Sequence, residues 1–116
     1  MAFRFEDLQV WHKALDLGEQ INQLTKAFPK EELFILTSQI KRAADSAVLN
    51  IAEGSTGQSK AVFKVFLGYS LRPAIEVISC LFIAKKRGYL KEELFNELYT
   101  EYEVLVKMIT ALRNSI

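Results

Sequence analysis

The stretch Gln39–Gly54, QIKRAADSAVLNIAEG, limits what this chain can become more than any other part of it. Its polar residues Gln39, Arg42, Ser46, Asn50 and Glu53 recur at steps of three or four, which aligns them along one face of a helix. The positions between them are mostly small or apolar. A polar stripe on so apolar a helix needs hydrogen-bond partners, so it is expected to face other protein or a ligand.

Helical spacing extends over the rest of the chain, and no strand alternation of useful length interrupts it. A first helix is expected over Glu6–Ala27, with Leu8, Trp11, Ala14, Leu15, Ile21, Leu24 and Phe28 on its apolar face. Gly18 lies on that face. It either admits a close helix approach or is tolerated at about 1 kcal/mol relative to alanine. A second helix is expected from Pro29 to about Glu53, its apolar side formed by Leu33, Leu36, Ile40, Ala43, Ala44, Ala47, Val48 and Ile51. Gly54 is placed to end it in a left-handed cap.

Ser59 reads as the N-cap of a third helix that reaches Arg87, where Lys85, Lys86 and Arg87 suit the negative end of the helix dipole and Gly88 follows as cap. Pro73 sits in its middle. It removes a backbone donor and crowds the preceding turn, so a kink near Tyr69–Pro73 is expected rather than a break. A fourth helix is expected over Lys91–Arg113, with Leu94, Phe95, Leu98, Tyr102, Leu105, Met108, Ile109 and Leu112 as its stripe.

These patterns predict an all-α fold: a single domain over residues 1–116, built as an up-down-up-down antiparallel four-helix bundle with a kinked third helix. Half of the residues are hydrophobic, enough for a core without disulfide or metal support. Helices one and four each carry one apolar stripe, as a bundle requires. Helices two and three exceed it, since VLNIA and VFLGYS are apolar nearly all round. A contiguous apolar surplus usually marks an interface, so self-association through helices two and three is expected. The segment Ala61–Ala84 is apolar enough to suggest a membrane span, but Arg72, Pro73 and Glu76 near its middle argue for a helix buried in protein, without a membrane partner.

The chemistry-bearing residues point away from catalysis. His12 is the only histidine and has no second ligand at metal spacing. Ser46 and Ser59 lack a base partner, and Gly54-x-x-Gly57 is too short for a phosphate loop and is followed by no Gly-Lys-Ser/Thr. Glu53 and Glu76 lack the Glu-x-x-His motifs of bundle di-metal sites. No catalytic residue, metal ligand or cofactor is expected. Gln39, Arg42, Ser46, Asn50, Glu53 and Glu76 read instead as a structural polar network, with Glu76 paired to Arg42 and Asn50 bonding across a helix interface. Cys80, the single cysteine, lies in an apolar run and reads as a buried, inert thiol. No apolar secretion segment is visible in MAFRFEDLQVW, which with the lone cysteine suits the cytoplasm.

The formal charge of +1 is not that of a protein that coats nucleic acid indiscriminately. Lys41, Arg42, Lys60, Lys64 and Arg72 are the candidates for a local nucleic-acid surface, with Lys60 and Lys64 one turn apart. Aromatic residues are not interleaved with them as a stacking platform requires.

The segments FEDLQVWHKA, LTKAFPKEELFILTSQIKRAADSAVLNIAEG and FKVFLGYSLRPAIEVISCLFIAKKRGYL resemble the bacterial four-helix-bundle family that includes proteins encoded in intervening sequences of 23S ribosomal RNA genes. The resemblance implies a bundle that assembles into a ring, typically a homopentamer. It also implies that Arg42, Ser46, Asn50, Glu53 and Glu76 are signature polar residues. Relatives include the accessory protein of diversity-generating retroelements, similar to a basic pentameric barrel that binds a reverse transcriptase and nucleic acid. Arg72-Pro73 departs from the Gly-Ser that relatives often carry there, and the near-neutral charge departs from the basic retroelement type. The expected function is therefore a non-enzymatic, self-assembling scaffold or adaptor that binds other protein. The alternative is an RNA-associated accessory protein that displays basic residues on a homo-oligomeric ring.

Overall fold

Helical periodicity becomes four long α-helices in the computed structural model, which describes residues 2–57 and 59–116. They are α1 (Gln9–Thr25), α2 (Leu36–Gly54), α3 (Lys60–Lys86) and α4 (Glu92–Asn114). Short 3-10 turns at Arg4–Asp7 and Lys30–Glu32 precede the first two, and no strand occurs among the described residues. α2 packs on α1 and on α3, α3 packs on α4, and α4 packs on α1, with the α2/α3 contact the most extensive. The diagonal pairs do not approach each other, so the helices surround one shared core as a bundle with extents of 43 × 23 × 22 Å.

Each helix sends a stripe into that core: Val10, Ala14, Leu17 and Ile21 from α1, Leu36, Ile40, Ala44, Ala47 and Ile51 from α2, Phe63, Leu67, Ala74, Val77 and Leu81 from α3, and Phe95, Leu98, Tyr102, Leu105 and Ile109 from α4. The alanines of α2 let α3 come close. Ser70, fully buried in that contact, donates its hydroxyl to the Ala47 carbonyl of α2 at 2.9 Å.

The second helix begins later than its sequence pattern indicates. Pro29 opens a 3-10 turn, the chain breaks direction at Ile35, and α2 starts at Leu36. The cause is Glu32, whose buried carboxylate accepts from Arg87 Nη1 and from the Tyr89 hydroxyl, both at 2.8 Å. Holding Glu32 inward turns the neighbouring residues outward. Leu33, expected on the apolar side, is half exposed, and Phe34 is 89% exposed.

Gly54 also differs from expectation. It is the last residue of α2, and the two left-handed glycines are Gly57 and Gly88. A Cβ at Gly54 would stand 2.5 Å from Phe66 Cβ, so the glycine is required by the approach of α3, and Ser55 takes over as cap. At Gly18 a Cβ would meet Val48 at 3.9 Å, an ordinary contact, so that glycine is tolerated rather than required.

The ends of α3 follow their sequence signals. Ser59 Oγ accepts from the Val62 amide at 3.0 Å. At the other end Gly88 and Tyr89 donate to the Lys85 and Ala84 carbonyls, the pairing of a Schellman cap with glycine in the left-handed position. Between them α3 continues through Pro73, which is buried. α3 is the one helix among the described residues long and apolar enough to cross a membrane by length and composition, and its inner face supplies a large share of the core.

Candidate functional site

The polar stripe of α2 meets α3 in a groove of about 390 Å³ lined by Gln39, Arg42, Ala43, Ser46, Arg72, Pro73 and Glu76. The steps of three and four on α2 put Gln39, Arg42 and Ser46 on its rim, and α3 presents Arg72 and Glu76 one turn apart opposite them. Glu76 accepts a hydrogen bond from the Gln39 amide, not an ion pair from Arg42. Asn50 does not reach across the interface either. Its amide turns back within α2 to the Ser46 carbonyl at 2.9 Å and the Ser46 hydroxyl at 3.1 Å. Side chains this close along one helix satisfy each other before they can span to the next. Arg42 and Arg72 are exposed and form no ion pair among the described residues.

Glu53 stands apart from this groove. It lies fourteen residues along α2 from Gln39, about 21 Å at the rise of an α-helix. Glu53 and Glu76 therefore cannot act as a carboxylate pair within one chain. The basic candidates also divide. Arg42 and Arg72 share the groove, while Lys41 points to the opposite side of α2, into the cleft with α1. Lys60 and Lys64 occupy the first turns of α3, about 12–18 Å along the helix from Arg72. Of the cationic run after them, Lys85 pairs with Glu92 at 3.3 Å and lies 4.5 Å from the Phe95 ring, and Arg87 is held by Glu32.

The remaining reactive groups are isolated. His12 is exposed, with Nε2 2.6 Å from the Glu6 carbonyl and its ring edge-on to Trp11. Cys80 is buried, and burial, aided by the Glu76 charge, pushes its thiol up to about 11, so almost no thiolate forms at neutral pH. No group of three or more His, Cys, Asp and Glu side chains among the described residues could hold a metal ion.

The structure adds two features, the first missed by the sequence reading and the second expected from the apolar surplus of the third helix. One is a cleft of about 740 Å³ between α1 and α2, with Leu15, Gly18, Val48 and Leu49 as apolar walls and Asp16, Glu19 and Asp45 among its polar residues. Gly18 on the apolar stripe was its only signal. The other is the outer side of α3, where Val65, Tyr69, Ile75, Phe82 and Ile83 remain 38–53% exposed after the core is closed.

The described residues thus form an all-α protein with one polar groove between α2 and α3 and an exposed apolar face on α3. The chain belongs to the family described as 23S rRNA-intervening sequence protein, whose model matches residues 6–111. The fold is similar to that of a protein of unknown function from the S23 ribosomal protein family of Bacteroides thetaiotaomicron, with a TM-score of 0.83 and 25% identity over 90% of this chain and 95% of that one. No curated protein matches. Neither description carries an enzymatic activity.

Proposed function

We propose that this protein is a non-enzymatic scaffold or adaptor of the cytoplasm that acts by assembling with copies of itself into a closed ring, most simply a homopentamer. The observation that carries the reading is the outer face of α3. Five large apolar side chains there stay 38–53% exposed although the same helix already fills the core with its other face. Such patches on soluble proteins are normally covered by a partner. Leu49 on α2, 60% exposed, extends the surplus to the second helix.

The bundle is read as antiparallel, up-down-up-down. Support comes from the contacts between α2 and α3: the positions 54 and 66, 47 and 70, and 39 and 76 approach in reverse order along the two helices. A bend at Pro73 accompanies this arrangement, because proline offers no N–H to the Tyr69 carbonyl one turn earlier. Light scattering behind size exclusion tests the assembly. A mass near five times the 13.2 kDa chain is expected, and a species of one chain mass at high concentration overturns the reading.

A second reading, RNA binding by the assembled ring, is favoured by one observation: Arg42 and Arg72 line one groove without an ion-pair partner among the described residues. Repetition around a ring would multiply these few phosphate contacts. Binding of structured RNA to assembled protein at low salt, falling steeply as salt rises, is the expected result. No binding at low salt removes this second reading.

A further inference from the structure

We propose that the outer ridge of α3 in one copy seats in the α1/α2 cleft of the next, a head-to-tail contact between two unlike surfaces. The inference rests on the self-assembly reading above and specifies its partner surfaces.

The two surfaces match in shape. On α3, Tyr69, Arg72 and Ile75 project from one exposed arc of the helix and span about 9 Å along its axis. The cleft is bounded by Leu15 to Asn22 on α1 and Lys41 to Leu49 on α2, about 11–12 Å of helix on each side. Its walls are apolar where a ridge would press, with Leu15 and Leu49 exposed, and Gly18 leaves the space a side chain would fill.

They also match in charge. The ridge carries Arg72 at its centre, while Lys64 and Lys86 lie about 12 and 21 Å along α3 from it, beyond the length of the cleft. The cleft carries Asp16, Glu19 and Asp45 against the single cation Lys41. Asp16 and Asp45 form no ion pair among the described residues. Hydrogen bonds from Gln23 and Asn22 hold the Glu19 carboxyl below the usual range, so the cleft stays negative. The symmetric alternative, ridge against ridge about a two-fold axis, would bring Arg72 toward its own copy in a partly desolvated contact, where like charges repel. Unlike surfaces joined head to tail repeat until they close into a ring or extend as a filament, whereas a two-fold contact ends at a dimer.

The experiment uses the full chain and measures mass by light scattering across a dilution series. Arg72→Glu and the pair Asp16→Lys with Asp45→Lys each replace exposed residues, and circular dichroism checks that the variants stay helical. Each variant is expected to need at least tenfold higher concentration for half-association, and combining all three changes in one chain is expected to recover most of that loss. Mixing supplies a second, independent readout. Ile75→Glu spoils the ridge and Leu49→Lys spoils the cleft, so each alone is expected to stay monomeric, while a mixture forms one-to-one dimers through the remaining good ridge and good cleft. If wild type assembles but the cleft variants assemble like it, or the mixture stays monomeric, the docking mode is overturned while self-assembly stands. If wild type itself is monomeric, both fall.

Discussion

α3 and α4 run side by side and bury comparable apolar stripes, yet their outer faces are unlike. α4 leaves mainly polar residues outside, among them Glu93, Asn96, Glu97, Thr100 and Lys107, with Leu94 and Val104 exposed at 39% and 37%. α3 exposes more apolar side chains, most of them more fully. Val65, Tyr69, Ile75, Phe82 and Ile83 stay exposed opposite a full core face. Folding one chain requires only the inner stripe of each helix, so the outer face of α3 reports on something other than monomer stability.

The contrast is broken most sharply by two substitutions. Leu105→Ala empties a fully buried position on α4 and is expected to lower stability by about 2–5 kcal/mol without redirecting assembly. Ile75→Gln on the outer face of α3 is expected to change stability of the isolated chain by about 0.5 kcal/mol or less while weakening association. Urea unfolding at low protein concentration, paired with light scattering at high concentration, reads the two effects separately. Equal effects of both substitutions on monomer stability would erase the distinction.

A smaller effect is expected where α3 meets α2. Gly54→Val pushes a branched side chain into Phe66 and Phe63, which a Cβ alone would already approach at 2.5 and 3.1 Å. The helices must separate, and overpacking of this kind costs about 1–3 kcal/mol. A fall in thermal midpoint is the check. An unchanged midpoint would show that α3 gives way freely and that its contact with α2 is loose.

Helices, most of the core stripes and the N-cap of α3 were legible because each depends on residues close in the chain, although Leu15 and Leu94, expected on apolar faces, are 43% and 39% exposed. Ser59 needs only Val62, and the stripe of α4 needs only its own period. What escaped depends on residues far apart. The late start of α2 is set by Arg87 and Tyr89, more than fifty positions beyond Glu32, and the requirement for Gly54 is set by Phe66 on another helix. The polar site was half legible for the same reason. Spacing placed Gln39, Arg42 and Ser46 on one face, but which of them Glu76 bonds depends on how α3 is rotated against α2, and it bonds Gln39. The α1/α2 cleft is a property of two surfaces at once and left only Gly18 as a trace.

α4 carries two buried polar atoms without a hydrogen-bond partner among the described residues, Arg113 Nε near its end and the Tyr102 hydroxyl in its middle. Burial, with the Asp45 charge adding to it, holds the phenol well above its ordinary range, so it stays protonated. Removing an unsatisfied buried hydroxyl from a ring that otherwise fits relieves a desolvation penalty of about 1 kcal/mol. Tyr102→Phe is therefore expected to stabilise the chain by up to about that amount, read as a higher urea midpoint at unchanged slope. A loss instead would mean that the hydroxyl finds a bridging water.

The smallest effect separates the two helices at the junction that joins them. After α3 the chain turns at Gly88, and Arg87 and Tyr89 fasten that turn to Glu32. The Tyr89 hydrogen bond, with the Arg87 charge beside it, holds the Glu32 carboxyl below its usual range against the opposing pull of burial. A carboxylate with a lowered folded-state pKa contributes stability that is fully present above its unfolded value, about 4.3, and is lost as pH falls through the folded value. Wild type should therefore lose this contribution as pH falls from about 5 toward 3, whereas Glu32→Gln should lack that part of the acid sensitivity because it has no proton to take up there. The comparison is made by urea unfolding of both proteins across that window. Parallel pH profiles would show that Arg87 and Tyr89 rest on the turn without fastening it, and the late start of α2 would then need a cause in Ile35 itself.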